Sequence, residues 1–169
     1  MNGLKGVGKL NKAISAELAQ FGIREAFLST DYCYYFDVEQ ITFKITEETE
    51  DKWFNEFVEE RFNYQVKYPF ILSLLHEVGH HLANDEIEGE LYHFCAEEKE
   101  RIRKAMEKVK TIAEAKRLEF QYFNLPDEIM ATQWAVKFAR THPVVIEKMW
   151  RASLRALKAF YEENNVTEG

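Results

Sequence analysis

The chain has 169 residues, of which 46% are hydrophobic and 14% aromatic, and its formal net charge is −7. This length and composition predict a single globular domain over residues 1–169 and exclude a disordered chain. The acidic balance argues against direct nucleic-acid binding, which needs a basic surface.

The cysteine content and the hydropathy pattern bear on the cellular setting. The chain contains two cysteines, Cys33 and Cys95, which are too few and too far apart in sequence to make a disulfide framework. The N-terminal residues include lysines but no continuous apolar core of secretory type, and no apolar run reaches membrane length. We therefore expect a soluble cytoplasmic protein without a membrane partner.

The first predicted elements are a helix and a β-hairpin. A helix over residues 9–21 is expected to end at Gly22, because glycine suits the left-handed conformation that closes many helices. The aromatic and β-branched stretch that follows predicts strands at residues 32–36 and 41–45, joined by the turn DVEQ.

The rest of the chain predicts helices. Apolar residues at helical spacing predict an amphipathic helix over residues 47–62, and another helix begins near Pro69. Residues 90–122 have the pattern of one long or once-broken helix. Helices over residues 126–140 and 143–163 start at prolines, where the missing N–H costs little. The predicted fold class is therefore α+β, mainly helical, with a small β-hairpin.

The stretch YPFILSLLHEVGHHLAND, residues 68–85, carries two histidines four positions apart in an apolar run. At about 100° per residue, His80 lies about 40° from His76, so both rings stand on one helical face. Small residues surround the histidines and apolar residues occupy the opposite arc, which favours a site over a core helix with incidental histidines. The small residues are Ser73, Gly79 and Ala83, and the apolar ones are Phe70, Ile71, Leu74, Leu75, Val78 and Leu82.

Glu77 lies at the edge of the histidine face, at about 100° on the same projection. From there its carboxylate can reach a metal-bound water without ligating the ion. This is the arrangement of the H-E-x-x-H zinc motif, in which two histidines bind zinc and the glutamate takes a proton from the water. His81 projects among the apolar side chains and is interpreted as a histidine that packs or supports the ligands.

A catalytic zinc site needs a third protein ligand, and downstream glutamates are the candidates. Glu128 has the most favourable surroundings, because small residues on its helical face would let this helix approach the histidine helix closely. Those small residues are Ala131, Thr132, Ala135 and Ala139. Glu119, which borders apolar residues, and Glu86, at the third-ligand position of the extended motif H-E-x-x-H-x-x-G-x-x-H, remain alternatives. Asp127 is expected to be a first-turn residue favoured by the helix dipole.

HEVGHH resembles the active-site helix of the zincin metallopeptidases, and DEIMATQWAVKFA is similar to the E-x-x-A-[ND]-x-F/W-A segment of the ImmA/IrrE family. These are small metallopeptidases of bacteria, phages and conjugative elements, several of which cleave or regulate repressor proteins. The resemblance implies a zincin-like fold, a Zn²⁺ cofactor bound by His76, His80 and Glu128, and Glu77 as the catalytic base.

Two features depart from the family pattern. Thr132 stands where the family usually has Asn or Asp, and the interval from His80 to Glu128 is long, as if residues 90–122 were a helical insertion. The resemblance therefore bears on the metal site more than on a repressor substrate.

The predicted activity is zinc-dependent hydrolysis of peptide bonds in a protein or peptide substrate. The strand at residues 41–45 is expected to be a sheet edge whose unsatisfied backbone groups pair with an extended substrate. The residue that donates to the oxyanion stays open among four candidates, namely His93, Tyr92, His142 and Tyr122.

Two other functions remain open. A catalytically silent zinc-binding module on the same fold would bind a protein partner, for which Trp134, Trp150 and Phe160 are candidate contacts. A structural zinc site would be closed by a fourth ligand, for which Cys95 is an available thiol.

Overall fold

The structure, a computed structural model of the chain, describes residues 4–45, 52–83 and 87–165. These ranges contain seven α-helices and a three-stranded sheet, which confirms the predicted mainly helical α+β class. None of the described helices is long and apolar enough to cross a membrane. The helices are α1 (Val7–Leu18), α2 (Lys52–Phe62), α3 (Pro69–Ala83), α4 (Gly89–Met106), α5 (Ile112–Phe123), α6 (Pro126–Thr141) and α7 (Pro143–Asn165), and the strands are β1 (Glu25–Leu28), β2 (Cys33–Tyr35) and β3 (Gln40–Phe43).

The chain divides into two compact units. The first comprises residues 1–45 and 139–169, and the second comprises residues 46–138. All three predicted metal ligands belong to the second unit. The prediction of one domain over residues 1–169 stays a prediction.

Helix α1 opens the first unit and buries one stripe of its surface. Leu10, Ile14 and Leu18 recur every four residues and are almost completely buried, and α1 contacts both β1 and α7. A short 3-10 turn follows, and Gly22 ends it with a left-handed φ of 82°. The predicted first helix and its glycine cap are therefore confirmed.

The sheet of the first unit has the strand order β1-β3-β2. Strands β2 and β3 pair antiparallel, with Cys33 opposite Thr42, and so confirm the predicted hairpin. Strand β1 pairs in parallel with the other side of β3, with Glu25 opposite Gln40.

The prediction that residues 41–45 form an edge strand is wrong. β3 is the central strand, and its backbone pairs with β1 on one side and with β2 on the other. Because its backbone groups are already used, β3 has no free edge for an extended substrate. The error has a physical reason: a hairpin leaves a turn signal in the sequence, whereas a parallel partner is joined through an intervening segment and leaves none.

Helix α3 is buried along most of its length. It begins at Pro69, as predicted, and every residue from 71 to 79 is buried. Along this stretch both the apolar arc and the His76 end of the histidine face are therefore covered, whereas His80 is half-buried. Leu82, which the helical projection places on the apolar arc, is instead 46% exposed because it lies next to the end of the helix.

Helices α4 and α5 show that the segment predicted as one long or once-broken helix is broken once. At the break, Thr111 caps α5, and its side chain accepts a hydrogen bond from the Glu114 N–H at 3.2 Å. A buried cluster of Ile102, Leu118 and Leu125 joins α4 to α5 and to the residue before α6. This cluster holds α4 next to the start of α6.

Helices α3 and α6 approach each other closely at Gly79. A Cβ atom added at Gly79 would overlap the Ala131 carbonyl oxygen and lie 2.8 Å from the Ala131 Cα atom. These are backbone atoms, so a side chain at position 79 would push the two helices apart. The prediction that small residues let the two helices approach closely is confirmed.

We expect Gly79→Ala to destabilise the protein. Forcing a methyl group into a rigid contact costs about 1–3 kcal/mol, and the better helix propensity of alanine returns roughly 1 kcal/mol at most. Urea unfolding followed by circular dichroism measures the difference. The matched control is Gly8→Ala in α1, where the added Cβ meets no atom within 4 Å and stability should not fall. A Gly79→Ala protein as stable as wild type would contradict the close helix approach.

Candidate metal centre

Helices α3 and α6 bring the three predicted metal ligands together. The Glu128 Oε2 atom lies 2.9 Å from His76 Nε2 and 3.4 Å from His80 Nε2, and the two Nε2 atoms are 3.1 Å apart. Among the residues that the structure describes, these three side chains form a group whose ligand atoms all lie within 4.8 Å of one another.

The spacing of these donor atoms suits a zinc ion. Two donors at roughly 2.0–2.1 Å from a tetrahedral zinc ion are about 3.3 Å apart. The observed separations of 2.9, 3.1 and 3.4 Å are close to that value. Two imidazoles and one carboxylate are also a known ligand set of catalytic zinc, which keeps one further position open. The residues present therefore fit this ion.

Thr132 determines which nitrogen of His76 carries the proton. The Thr132 Oγ1 atom lies 2.8 Å from the Glu128 carbonyl oxygen and 2.9 Å from His76 Nδ1. A carbonyl oxygen only accepts, so the hydroxyl proton is donated to it. His76 Nδ1 must then donate its own proton to Thr132 Oγ1, which leaves the lone pair of the neutral ring on Nε2. A metal ligand needs this tautomer, and such a partner typically fixes it.

The tautomer has a consequence for the space between the ligands. With His76 neutral, its Nε2 atom and the Glu128 Oε2 atom are both acceptors, although they are 2.9 Å apart. Two converging lone pairs in a buried place are stable only when they share a cation, which is either a proton or a metal ion. The cluster therefore has the electrostatic character of a cation site.

Aromatic side chains from α2 and α5 pack beside the site. The Phe54 ring meets His76 edge-on with centroids 5.2 Å apart, and the Phe123 ring lies 5.3 Å from that of Phe54. His76 and Glu128 are correspondingly 8% and 3% exposed. In surroundings of this kind, charges interact more strongly than they do in water.

Burial and the neighbouring groups change the acidity of the site residues. Burial alone would raise the pKa of Glu128, but His76 and His80, which share a proton with its carboxylate when no metal ion is bound, hold this pKa well below its usual range. Burial alone would lower the pKa of His80, but the hydrogen bond and charge of Glu128 raise it. The pKa of Glu77 is raised, chiefly by burial. Glu128 is thus ionised, as a ligand must be, and Glu77 is a stronger base than an exposed carboxylate.

Lys99 of α4 is a site residue that the motifs in the sequence do not identify. Its Nζ atom donates to Glu128 Oε1 at 2.6 Å and also to Asp127 Oδ2, and it lies 5.3 Å from the centre of the Tyr122 ring. Burial alone would lower the pKa of Lys99, but the Glu128 carboxylate raises it above its usual value. The side chain is therefore a charged ammonium group in contact with a predicted ligand.

One signal in the sequence points to Lys99. It shares a helical face with Cys95 and Ile102, four residues before it and three after, which are apolar residues in a charged segment and are buried in the structure. A lysine on the buried face of an otherwise charged helix needs a partner, and the partners lie at the start of α6. Asp127 is in the first turn of α6, as predicted, and its Oδ1 atom accepts the Glu128 N–H at 3.0 Å.

The other predicted ligands lie elsewhere. Glu119 and His81 are half-buried in α5 and α3, and neither belongs to the group of ligand atoms. Cys95 is buried in α4 and is likewise outside that group, so a zinc site closed by its thiol gains no support. Glu86 lies outside the described residues.

The four candidate oxyanion donors differ in position. Tyr122 is half-buried next to Lys99, and its pKa is raised by burial and by the Glu128 carboxylate, so its hydroxyl keeps its proton at neutral pH. Tyr92 lines a small cleft of about 170 Å³ that opens beside His80 and is also lined by Lys99. His93 is exposed on α4, and His142 belongs to the first unit. Among the four candidates, Tyr122 and Tyr92 are thus the two that share surroundings with Lys99 of the site.

Comparison of the chain with protein-family models, curated proteins and solved structures found no match. The resemblance to the zincins and to the ImmA/IrrE segment therefore rests on the quoted residues alone.

We expect wild-type protein to bind about one zinc ion and Glu128→Ala and His80→Ala to lose it, because each substitution removes one of three donors. Elemental mass spectrometry of protein purified with zinc measures the content. Glu119→Ala is the control, since Glu119 lies outside the ligand group and should leave the zinc content unchanged. Zinc retained in Glu128→Ala but lost in Glu119→Ala would show that the third ligand is Glu119 of α5 and not Glu128.

Thr132→Val should weaken zinc binding by about 10–100-fold, the usual effect of removing the partner that orients a metal-bound histidine. Valine has nearly the shape of threonine but leaves His76 Nδ1 and the Glu128 carbonyl oxygen without their shared hydroxyl. Thr132→Ser keeps the hydroxyl and should bind zinc nearly as tightly as wild type. Competition with a chromophoric chelator gives the affinities. Equal affinities for the Val and Ser variants would mean that the hydroxyl does not set the tautomer.

Proposed function

We propose that this protein is a zinc-dependent metallopeptidase that hydrolyses peptide bonds in a protein or peptide substrate. The observation that carries the proposal is the convergence of His76 Nε2, His80 Nε2 and Glu128 Oε2 from two helices, with separations of 2.9 to 3.4 Å. The chemistry of the three donors supports zinc, and the glutamate between the two histidines supports hydrolysis.

His76, His80 and Glu128 would hold the ion, and Thr132 would keep His76 in the ligand tautomer. When bound, zinc supplies a Lewis acid that polarises a carbonyl group and makes water more acidic. These three protein ligands would be one fewer than the four that close a structural zinc site, as in catalytic sites.

Glu77 is the proposed general base. It accepts a proton from the attacking water, and the water oxygen forms a bond to the carbonyl carbon of the substrate. Glu77 then gives this proton to the nitrogen of the leaving amine as the C–N bond breaks, so its carboxylate is restored at the end of the cycle. The raised pKa of Glu77, caused chiefly by burial, suits a group that must both accept and release a proton near neutral pH.

Tyrosine hydroxyls of the second unit are the proposed donors to the oxyanion. Tyr122 keeps its proton because burial and the Glu128 carboxylate raise its pKa, and Tyr92 lines the cleft beside His80. A donor of this kind stabilises the negative charge that develops on the carbonyl oxygen. That the substrate is a regulator or repressor is supported by the family resemblance alone.

Glu77→Gln tests the proposed chemistry. The variant should hold as much zinc as wild type but lose at least about 100-fold in hydrolysis, because glutamine cannot accept the proton. The substrate is a mixed-sequence peptide library, and mass spectrometry of new N-termini measures cleavage. The matched control is Glu97→Gln on the exposed surface of α4, which should cleave like wild type.

The same experiment addresses the catalytically silent binding module. Zinc-loaded wild type that cleaves no member of the library would contradict the peptidase and favour the module. The aromatic residues considered for its partner give that alternative little support, because Phe160 is buried and Trp134 and Trp150 are half-buried.

A further inference from the structure

The two carboxylate oxygens of Glu128 have different partners. Oε2 faces the two histidine Nε2 atoms at 2.9 and 3.4 Å, whereas Oε1 accepts a hydrogen bond from Lys99 Nζ at 2.6 Å. A charge-assisted bond of this length between a buried carboxylate and a half-buried ammonium group is among the stronger polar contacts in a protein. The carboxylate is therefore held from both sides, with one oxygen facing the ligands.

We propose that Lys99 is a positioning residue that keeps Glu128 a one-oxygen metal ligand. This inference rests on the proposed zinc site. A carboxylate can bind a metal ion through one oxygen or through both, and the second oxygen would fill the position that a catalytic site keeps open. By binding Oε1, the ammonium group withholds that oxygen from the metal.

Asp127 offsets the positive charge of Lys99, which would otherwise repel a cation bound by Glu128. Lys99 Nζ also donates to Asp127 Oδ2, so one ammonium group is shared by two carboxylates and the trio keeps one net negative charge. Asp127 is fixed in turn, because its Oδ1 atom accepts the Glu128 N–H at 3.0 Å. The positive charge of Lys99 is thus balanced locally, and Glu128 keeps its attraction for a divalent ion.

The fold gives Lys99 little freedom to leave Glu128. Ile102, one turn further along α4, packs with Leu118 and Leu125, and Leu125 lies three residues before Glu128. Cys95, one turn earlier, is 2% exposed. Pairing with Asp127 alone would be enough to join α4 to α6. Lys99 also donates to Glu128 Oε1, and this second bond fixes a predicted metal ligand.

Cobalt(II) bound in place of zinc reports the coordination number, because four-coordinate cobalt absorbs visible light more strongly than five-coordinate cobalt. We expect cobalt-loaded wild type to give the intense four-coordinate bands and Lys99→Met to lose intensity, since Glu128 would then bind through both oxygens. Lys99→Arg should restore the wild-type spectrum, because a guanidinium group can contact Asp127 and Glu128 together. Lys104→Met, which removes an exposed lysine of the same helix, is the control.

A Lys99→Met spectrum identical to wild type at equal cobalt content would overturn the proposal, even if its melting temperature fell. X-ray absorption of zinc-loaded wild type is a second test that needs no variant: four ligands are expected, and a fifth from a two-oxygen carboxylate would overturn the proposal. Failure of wild type to bind either metal would instead overturn the proposed zinc site, so the two failures are distinguishable.

Discussion

The close contact between helices α3 and α6 is the constraint on which the candidate site depends. At Gly79 the Ala131 backbone occupies the space that any Cβ atom would need. Ala131 lies three residues after Glu128, and Gly79 lies between His76 and His80, so this contact places the carboxylate at the level of both imidazoles. A wider separation would leave a short glutamate side chain unable to reach Nε2 of either histidine.

The electrostatics of the cluster follow from that proximity. A buried carboxylate is costly unless charged or hydrogen-bonding groups surround it. Glu128 meets this requirement with two imidazoles at one oxygen and an ammonium group at the other. Thr132 adds a constraint of a different kind, because its single hydroxyl proton determines where the His76 lone pair lies. Two of these partners, Lys99 and Thr132, support Glu128 and His76 without belonging to the ligand group.

Much of the fold follows from local patterns. The glycine after α1, the prolines that open α3, α6 and α7, and the helical spacing of apolar residues all correspond to observed elements. The hairpin of β2 and β3 is also visible, because its turn joins neighbouring segments. The parallel pairing of β1 with β3 is not, and the strand predicted as an edge is central for that reason. The long segment between the histidines and Glu128 looks like an insertion in sequence, yet α4 supplies Lys99 to the site.

The sequence by itself determined the histidine pair, the adjacent glutamate and the small-residue face on which they lie, because helical periodicity relates residues three and four apart. It also singled out Glu128 among several glutamates, from the small residues on its helix. Only the tertiary structure decided that Thr132 orients His76 and that Lys99 binds Glu128. The Thr132 contact spans 56 residues and the Lys99 contact spans 29. Contacts of that span depend on how helices pack, and no local pattern in the chain encodes which polar groups will meet.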